Sequence, residues 1–159
     1  MNILFETDER WSSLILRVVV GLVIFPHGAQ KLLGWFGGHG FLGTMGFFTD
    51  QMHLPVIVAF LVIIGESIGA LAMIAGFFTR FVAASFIVIM SGAILLVHWP
   101  YGFFINWFGQ QAGEGFEFHL LFIGIGLALM MTGGGRWSAD RIIAAKLKES
   151  KRFIRNTIS

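Results

Sequence analysis

The chain has 159 residues, of which 56% are hydrophobic and only 13% are charged, and its mean hydropathy is +0.79. A soluble domain carries about a quarter charged residues; here the deficit lies in long apolar runs, which mark membrane spans. The absence of cysteine excludes disulfides, thiol redox chemistry and iron–sulfur ligation, and the small net charge of +2 hides a one-sided distribution.

Residues 1–12 are polar and net acidic. They lack the basic start and small-residue cleavage site of a signal peptide, so the first apolar run reads as a retained span. That span is expected over about 13–33, with Asp8, Ser12 or Ser13 able to cap it. It carries Arg17, His27 and Lys31, and Pro26 should bend it. Residues 34–53 follow, apolar and aromatic but rich in glycine. So many glycines argue against a stable solvated helix, and the stretch reads as a loop lying in, or dipping into, the membrane interface.

The second span is expected over about 54–78. Its Gly65-Glu-Ser-Ile-Gly69 segment is a small-xxx-small pattern that lets another helix approach closely, and a dimer is one use for it. A tight connection at Thr79-Arg80 leads to the third span, about 81–97. A second long loop, 98–117, precedes a short fourth span at about 118–132, ended by Gly133-Gly134-Gly135. Residues 1–135 thus read as one four-transmembrane-helix domain, an all-α integral membrane four-helix bundle. Residues 136–159 read as a basic, partly amphipathic tail that fixes topology and touches anionic lipid.

Four spans put both termini and the 79–80 turn on one side. That side receives 10 of the 11 lysines and arginines, so both termini are expected in the cytoplasm. The tryptophans agree. Trp11 and Trp137 fall at one interface, Trp35, Trp99 and Trp107 at the other, and none lies mid-span.

This topology places His27, His39, His53, His98 and His119 in the outer half or the outer loops, with Asp50, Glu114 and Glu117. Glu66 is the exception, ~18 Å into the second span and near the midplane. An acid there costs ~2.5–3.5 kcal/mol on insertion scales and should be paired or neutral. Depth counting puts Arg17 and His27 each ~7–8 Å from it along the membrane normal, so either is a candidate partner. His27 and Lys31 share a helix face at i,i+4. Arg17 and Lys31 also have a plainer reading as interfacial snorkelling residues, and Glu66 as helix–helix glue. The ligand-binding candidates are Arg17, His27, Lys31, Glu66, His98, Glu117 and His119. No histidine pair has a ligand spacing such as H-x3-H, so no metal is assigned. Bis-histidine haem would need two facing histidines on different spans, and only His27 is clearly inside one. Nothing supports a nucleic-acid role.

Several motifs in order resemble the DoxX family of small four-helix membrane proteins over nearly the whole chain. They are Arg17 with Gly21, Pro26-His-Gly-Ala-Gln-Lys-Leu32 and the glycine-rich loop, then Gly65-Glu66 and Gly76-Phe-Phe-Thr-Arg80. Gly115-Phe-Glu117 and Gly133-Gly-Gly-Arg-Trp-Ser-Ala-Asp140 complete the set. The resemblance implies a bacterial inner-membrane protein of redox or respiratory association, related to the DoxD subunit of thiosulfate:quinone oxidoreductase. It makes a quinone the expected ligand, held between spans one and two by His27, Lys31 and Glu66, with Glu117 and His119 at the mouth. A redox partner protein would supply electrons. The alternatives are a non-catalytic scaffold for a soluble oxidoreductase and a small-molecule carrier that would need to be a homo-oligomer.

Overall fold

The computed structural model describes residues 3–158. Among them six α-helices follow in order: α1 Trp11–Leu33, α2 Gly40–Gly46, α3 Val56–Ala75, α4 Thr79–Ala93, α5 Glu117–Thr132 and α6 Ala139–Ile158. No strand occurs among the described residues. α4 continues through a wide turn, Ile94–His98, and a tight one, Trp99–Tyr101. Among the described residues three helical stretches are long and apolar enough to cross a membrane: Trp11–Leu33, Val56–Ala75 and Thr79–Tyr101. α5 is apolar but has 16 residues, ~24 Å of rise against ~30 Å of hydrocarbon.

Helix ends differ from the expected ones by a few residues. α1 begins at Trp11, two residues early, with Asp8 accepting hydrogen bonds from the Arg10 amide (3.2 Å) and the Ser13 hydroxyl (3.1 Å). It runs unbroken through Pro26. α3 is shorter than expected because Gly76 caps it in the left-handed conformation (φ 68°), which glycine adopts without penalty. The larger correction concerns residues 34–53. Instead of a loop they hold α2 and a further helical turn, Phe47–Gln51. This segment lies against α1 and α3, with Phe41 edge-on to Phe60 (6.3 Å). The Gly38 backbone rests on that of Gln30, where a side chain would not fit. In apolar surroundings the backbone must satisfy its own polar groups, and that demand outweighs the poor propensity of glycine.

α1 lies along α3 in antiparallel contact: Gly21 faces Ala70 and Ile74, and Gly28 faces Glu66 and Ser67. A Cβ at Gly28 would overlap the Glu66 carbonyl. Across the same seam the Ser67 hydroxyl donates to the Gly28 carbonyl (3.0 Å) as well as to Ile63 in its own helix (2.6 Å). Gly65 and Gly69, the expected close-approach pair, instead face the α4 side chains Ile89, Val82 and Phe86. α4 packs on α5, with Phe86 and Phe122 edge-on at 5.8 Å. Val20, Ile24, Ala70, Met73, Val82, Ala83, Phe86, Met90, Phe122 and Leu129 form the shared core. The outward faces are apolar too, Val88, Leu95 and Leu121 among them, as suits helices bathed in lipid rather than water.

The end of the bundle that carries both terminal segments is tied by two buried charges. Arg17 is 2% exposed, although it lies in an apolar helix. Its guanidinium donates to the carbonyls of Gly134 (2.8 Å), Trp137 (3.0 Å), Arg136 (3.2 Å), Met73 (3.5 Å) and Ile74. It therefore satisfies the last turn of α3, where a cation also meets the negative end of the helix dipole. Asp140 does the converse, accepting from the Phe78 (2.7 Å) and Thr79 (2.9 Å) amides at the start of α4. Its own amide donates to the Gly76 carbonyl (2.9 Å). Arg80 reaches the carbonyls of Glu6 (3.1 Å) and Met130 (2.5 Å). Trp11 and Trp137, expected at one interface, meet edge to face at 5.1 Å.

Replacing Arg17 by Ala should strip the α3 terminus of its donors and leave buried carbonyls unpaired. The expected loss is ~3 kcal/mol or more, read as a lower unfolding midpoint in detergent, with Arg17→Lys recovering only part of it because an ammonium lacks the planar fork. An unchanged midpoint for Arg17→Ala would show that the knot is not what holds this end.

Candidate functional site: a polar cluster at one end of a lipid-facing groove

A groove of about 1570 Å³ runs along α3 and α4, from Leu4, Phe77 and Phe78 at the knotted end to His98, Glu114 and His119 at the other. Its walls are mainly aliphatic and aromatic. Its place differs from the expected one. The seam between α1 and α3 is closed by Gly21 and Gly28, so no ligand fits between those spans. The opening lies between α3 and α4, and α1 contributes Val23, Ile24, His27 and Lys31 from behind.

The partner of Glu66 is neither Arg17 nor His27. Lys31 Nζ stands 2.5 Å from Glu66 Oε2. The Glu66 side chain is 7% exposed and that of Lys31 23%. The reason lies in helix direction. Side chains lean toward the N-terminus of their own helix. Because α1 and α3 are antiparallel, Lys31 and Glu66 lean toward each other. Gly28 sets the register by seating on Glu66, which leaves Lys31 only three residues, ~4.5 Å of rise, beyond that level. Depth counting placed Arg17 and His27 nearer to Glu66 than Lys31, but the Arg17 guanidinium is spent on carbonyls of α3 and of the 134–137 segment.

His27 lies one turn before Lys31, faces the groove and is exposed. No hydrogen bond to it is found within the described residues. At the far end the rings of His98 and His119 lie 4.2 Å apart, tilted by 43°. The His98 Nδ1 donates to the Glu114 carbonyl (2.8 Å), which leaves its Nε2 free to accept when the ring is neutral. The Nδ1 of His119 is buried and has no hydrogen-bond partner. His27, Lys31, Glu66, His98 and His119 thus share one groove, with two kinds of group free to meet a ligand: an ammonium already in an ion pair, and imidazoles with spare nitrogens.

Two candidates lie elsewhere. Arg17 belongs to the knot. Glu117 points to the other side of α5, where its Oε1 accepts from the Ile105 amide (3.1 Å). There it joins Leu16, Phe103 and Leu121 around a smaller groove of about 660 Å³. Its neighbour Glu114 lines the main groove instead and braces the loop by accepting from the Asn106 amide (2.8 Å). Their spacing in the sequence does not show which of these two acids lines the main groove. Ser67 and Asp140 were also missed. The hydroxyl of Ser67 beside the Gly28 crossing is a detectable pattern, whereas Asp140 acts across 61 residues on Thr79. No group of three or more His, Asp or Glu side chains among the described residues is arranged to hold a metal ion.

Breaking the ion pair on one side should cost more than removing it. Lys31→Met or Glu66→Leu alone leaves an unpaired charge, at ~3 kcal/mol, the low end for buried pairs because Lys31 is partly exposed. The double variant should recover most of that loss in an unfolding titration. Additive losses would mean that the two groups do not interact.

The comparisons with known proteins follow the same residues. The DoxX family model matches residues 12–99, a stretch that contains Arg17, the whole ion pair and α4. "Putative oxidoreductase CatD" of Bacillus subtilis (strain 168) is 33% identical over 129 residues, 81% of this chain and 83% of that protein. "Inner membrane protein YphA" of Escherichia coli (strain K12) is 28% identical over 131 residues, 80% of this chain and 87% of that one. No solved structure matches the chain. With its apolar spans, its Pro26-His27 to Lys31 face and its Gly65-Glu66 pair covered by that match, this chain belongs to the DoxX family of membrane proteins.

Proposed function

We propose that this chain is the quinone-binding membrane component of a redox system, with residues 1–135 as its membrane domain and residues 136–159 as a cytoplasmic tail. The observation that carries the reading is the Lys31–Glu66 pair, 2.5 Å long, set in the wall of an apolar groove open to lipid. Polar groups at such depth are costly and commonly mark a site. A quinone supplies reversible two-electron, two-proton chemistry. The residues present suit its shape. Lys31 and His27 offer donors to a carbonyl oxygen, the His119 ring in the groove wall offers a second contact, and the aliphatic wall along α3 and α4 accommodates a hydrocarbon tail. Glu66 and the imidazoles are the right types to hold and pass protons.

Electrons would come from a partner protein or a soluble reductant, since a chain without cysteine has no thiolate ligands for an iron–sulfur cluster. The name of the Bacillus relative, "Putative oxidoreductase CatD", supports a redox association. The name of the Escherichia relative supports the inner membrane. The one-sided distribution of 10 of 11 basic residues supports cytoplasmic termini, which leaves the histidine end on the outer side.

The test is binding of a short-chain quinone to the protein in nanodiscs, followed by quenching of its own tryptophans. Glu66→Gln and His27→Ala should each weaken binding ~10-fold or more, the value of a hydrogen bond to a charged or strongly polar group. Wild-type affinity in both variants would overturn the reading.

A further inference from the structure

α6 is the one long helix that the bundle does not explain. It runs from Ala139 to Ile158, its start is held by Asp140 and by Ser138, which donates to the Gly135 carbonyl (2.8 Å) and accepts from the Arg141 amide (3.3 Å). Beyond that, it touches mainly the N-terminal turn Ile3–Phe5. At 3.6 residues per turn, Ile142, Ile143, Leu147 and Ile154 fall within one arc of ~140°, and Arg141, Lys148 and Lys151 fall on the opposite side. Lys146 and Ser150 interrupt the apolar arc. The apolar side chains are not covered by the bundle: Ile142 is 60% exposed, Ile154 53% and Leu147 39%.

Two further observations say what covers this face. First, residues 136–159 carry seven basic and two acidic residues, and one of those acids, Asp140, is buried in the knot. Second, α6 leaves the bundle at the level of an aromatic and cationic girdle. Trp11 and Trp137 are in contact there, and the Arg136 guanidinium lies over the Trp11 ring at 4.7 Å. Tryptophan and arginine in this arrangement belong at the headgroup boundary.

We propose that α6 lies on the leaflet at this end of the bundle as an anionic-lipid-binding helix, with Ile142, Leu147 and Ile154 immersed and Lys148 and Lys151 facing the phosphate layer and water. A helix with one apolar and one strongly basic face binds in the interface plane, and its binding strengthens with anionic lipid and weakens with salt. The surface is independent of the groove: no residue of α6 lines it.

The absence of cysteine makes the test clean in the full-length chain. Single cysteines at Leu147 or Lys148 carry an environment-sensitive fluorophore, and the protein sits in nanodiscs of phosphatidylcholine alone or mixed with phosphatidylglycerol. In mixed discs the label at Leu147 should shift to the blue and be quenched several-fold more by brominated lipid than the label at Lys148. High salt or phosphatidylcholine alone should reduce the difference. The variant Lys148→Glu with Lys151→Glu, labelled at Leu147, should lose the response to phosphatidylglycerol while the unfolding midpoint of the spans stays unchanged. Equal water exposure of both labels in both lipids overturns the proposal. So does protection of Leu147 that appears only when a soluble protein is added, since the face would then be a protein-docking surface.

Discussion

Arg17 decides how the bundle is organised. Every helix that ends inside or beside hydrocarbon leaves backbone groups that water cannot reach, and four helix ends meet where the chain turns from α3 to α4 and from α5 to α6. One guanidinium answers much of this demand, because its five donors radiate in a plane. It binds the last carbonyls of α3 and three carbonyls of the 134–137 segment, while Asp140 closes the start of α4. The run from Gly133 to Asp140 is therefore a structural fitting. Gly76 is tied to it, since a Cβ there would press on Ser138 and on the Arg17 guanidinium.

That use of Arg17 has a consequence at the other end of the same helix. With the first cation committed to carbonyls, the only strong counter-charge α1 can offer Glu66 is Lys31. The glycine crossings then do the rest. Gly21 and Gly28 bring α3 close enough that register is set by backbone contact, and the opposed lean of the two side chains brings ammonium to carboxylate. The same tight seam pushes the available space to the other side of α3. The groove opens toward α4 because α1 and α3 leave no room between themselves.

Large-scale features of this fold were legible in the sequence because they depend on sums over many residues. The apolar runs, the placement of both terminal segments beside the 79–80 turn and the presence of Trp11 and Trp137 at one end follow from hydropathy and from where lysine, arginine and tryptophan fall. The buried acid was legible as well, since a lone Glu66 in an apolar helix stands out. Its partner was not. Depth along the membrane normal is a coarse coordinate, and a start two residues early in α1, with a later start in α3, is enough to change the answer. Rotation about the helix axis and side-chain direction decide which groups meet, and the clue to both was the pair of glycines in α1 rather than the Gly65–Gly69 pair. α2 was illegible for another reason: propensity measured in water misjudges a glycine-rich segment packed against apolar helices. Glu114 lies in the loop and Glu117 at the first position of α5, they line different grooves, and spacing carries no trace of that.

The two ends of the molecule also treat their polar groups differently, and this bears on the proposed site. At the knotted end charges are used to saturate backbone groups. Of the buried atoms left over there, the Arg136 Nε belongs to a guanidinium already stacked on Trp11, and the Thr79 hydroxyl lies beside a filled cap. At the other end His27 looks into the groove, the ring of His98 stands 4.2 Å from that of His119, and the Nδ1 of His119 is buried without a partner. A buried ion pair is weak evidence for stability, because well-packed apolar residues of the same volume serve as well or better. The place of Lys31 and Glu66 in a lipid-facing wall, in the same groove as His27, His98 and His119, therefore supports the proposed site. The knotted end holds the helices in place, and the groove end is the proposed place for a ligand with its own donors and acceptors.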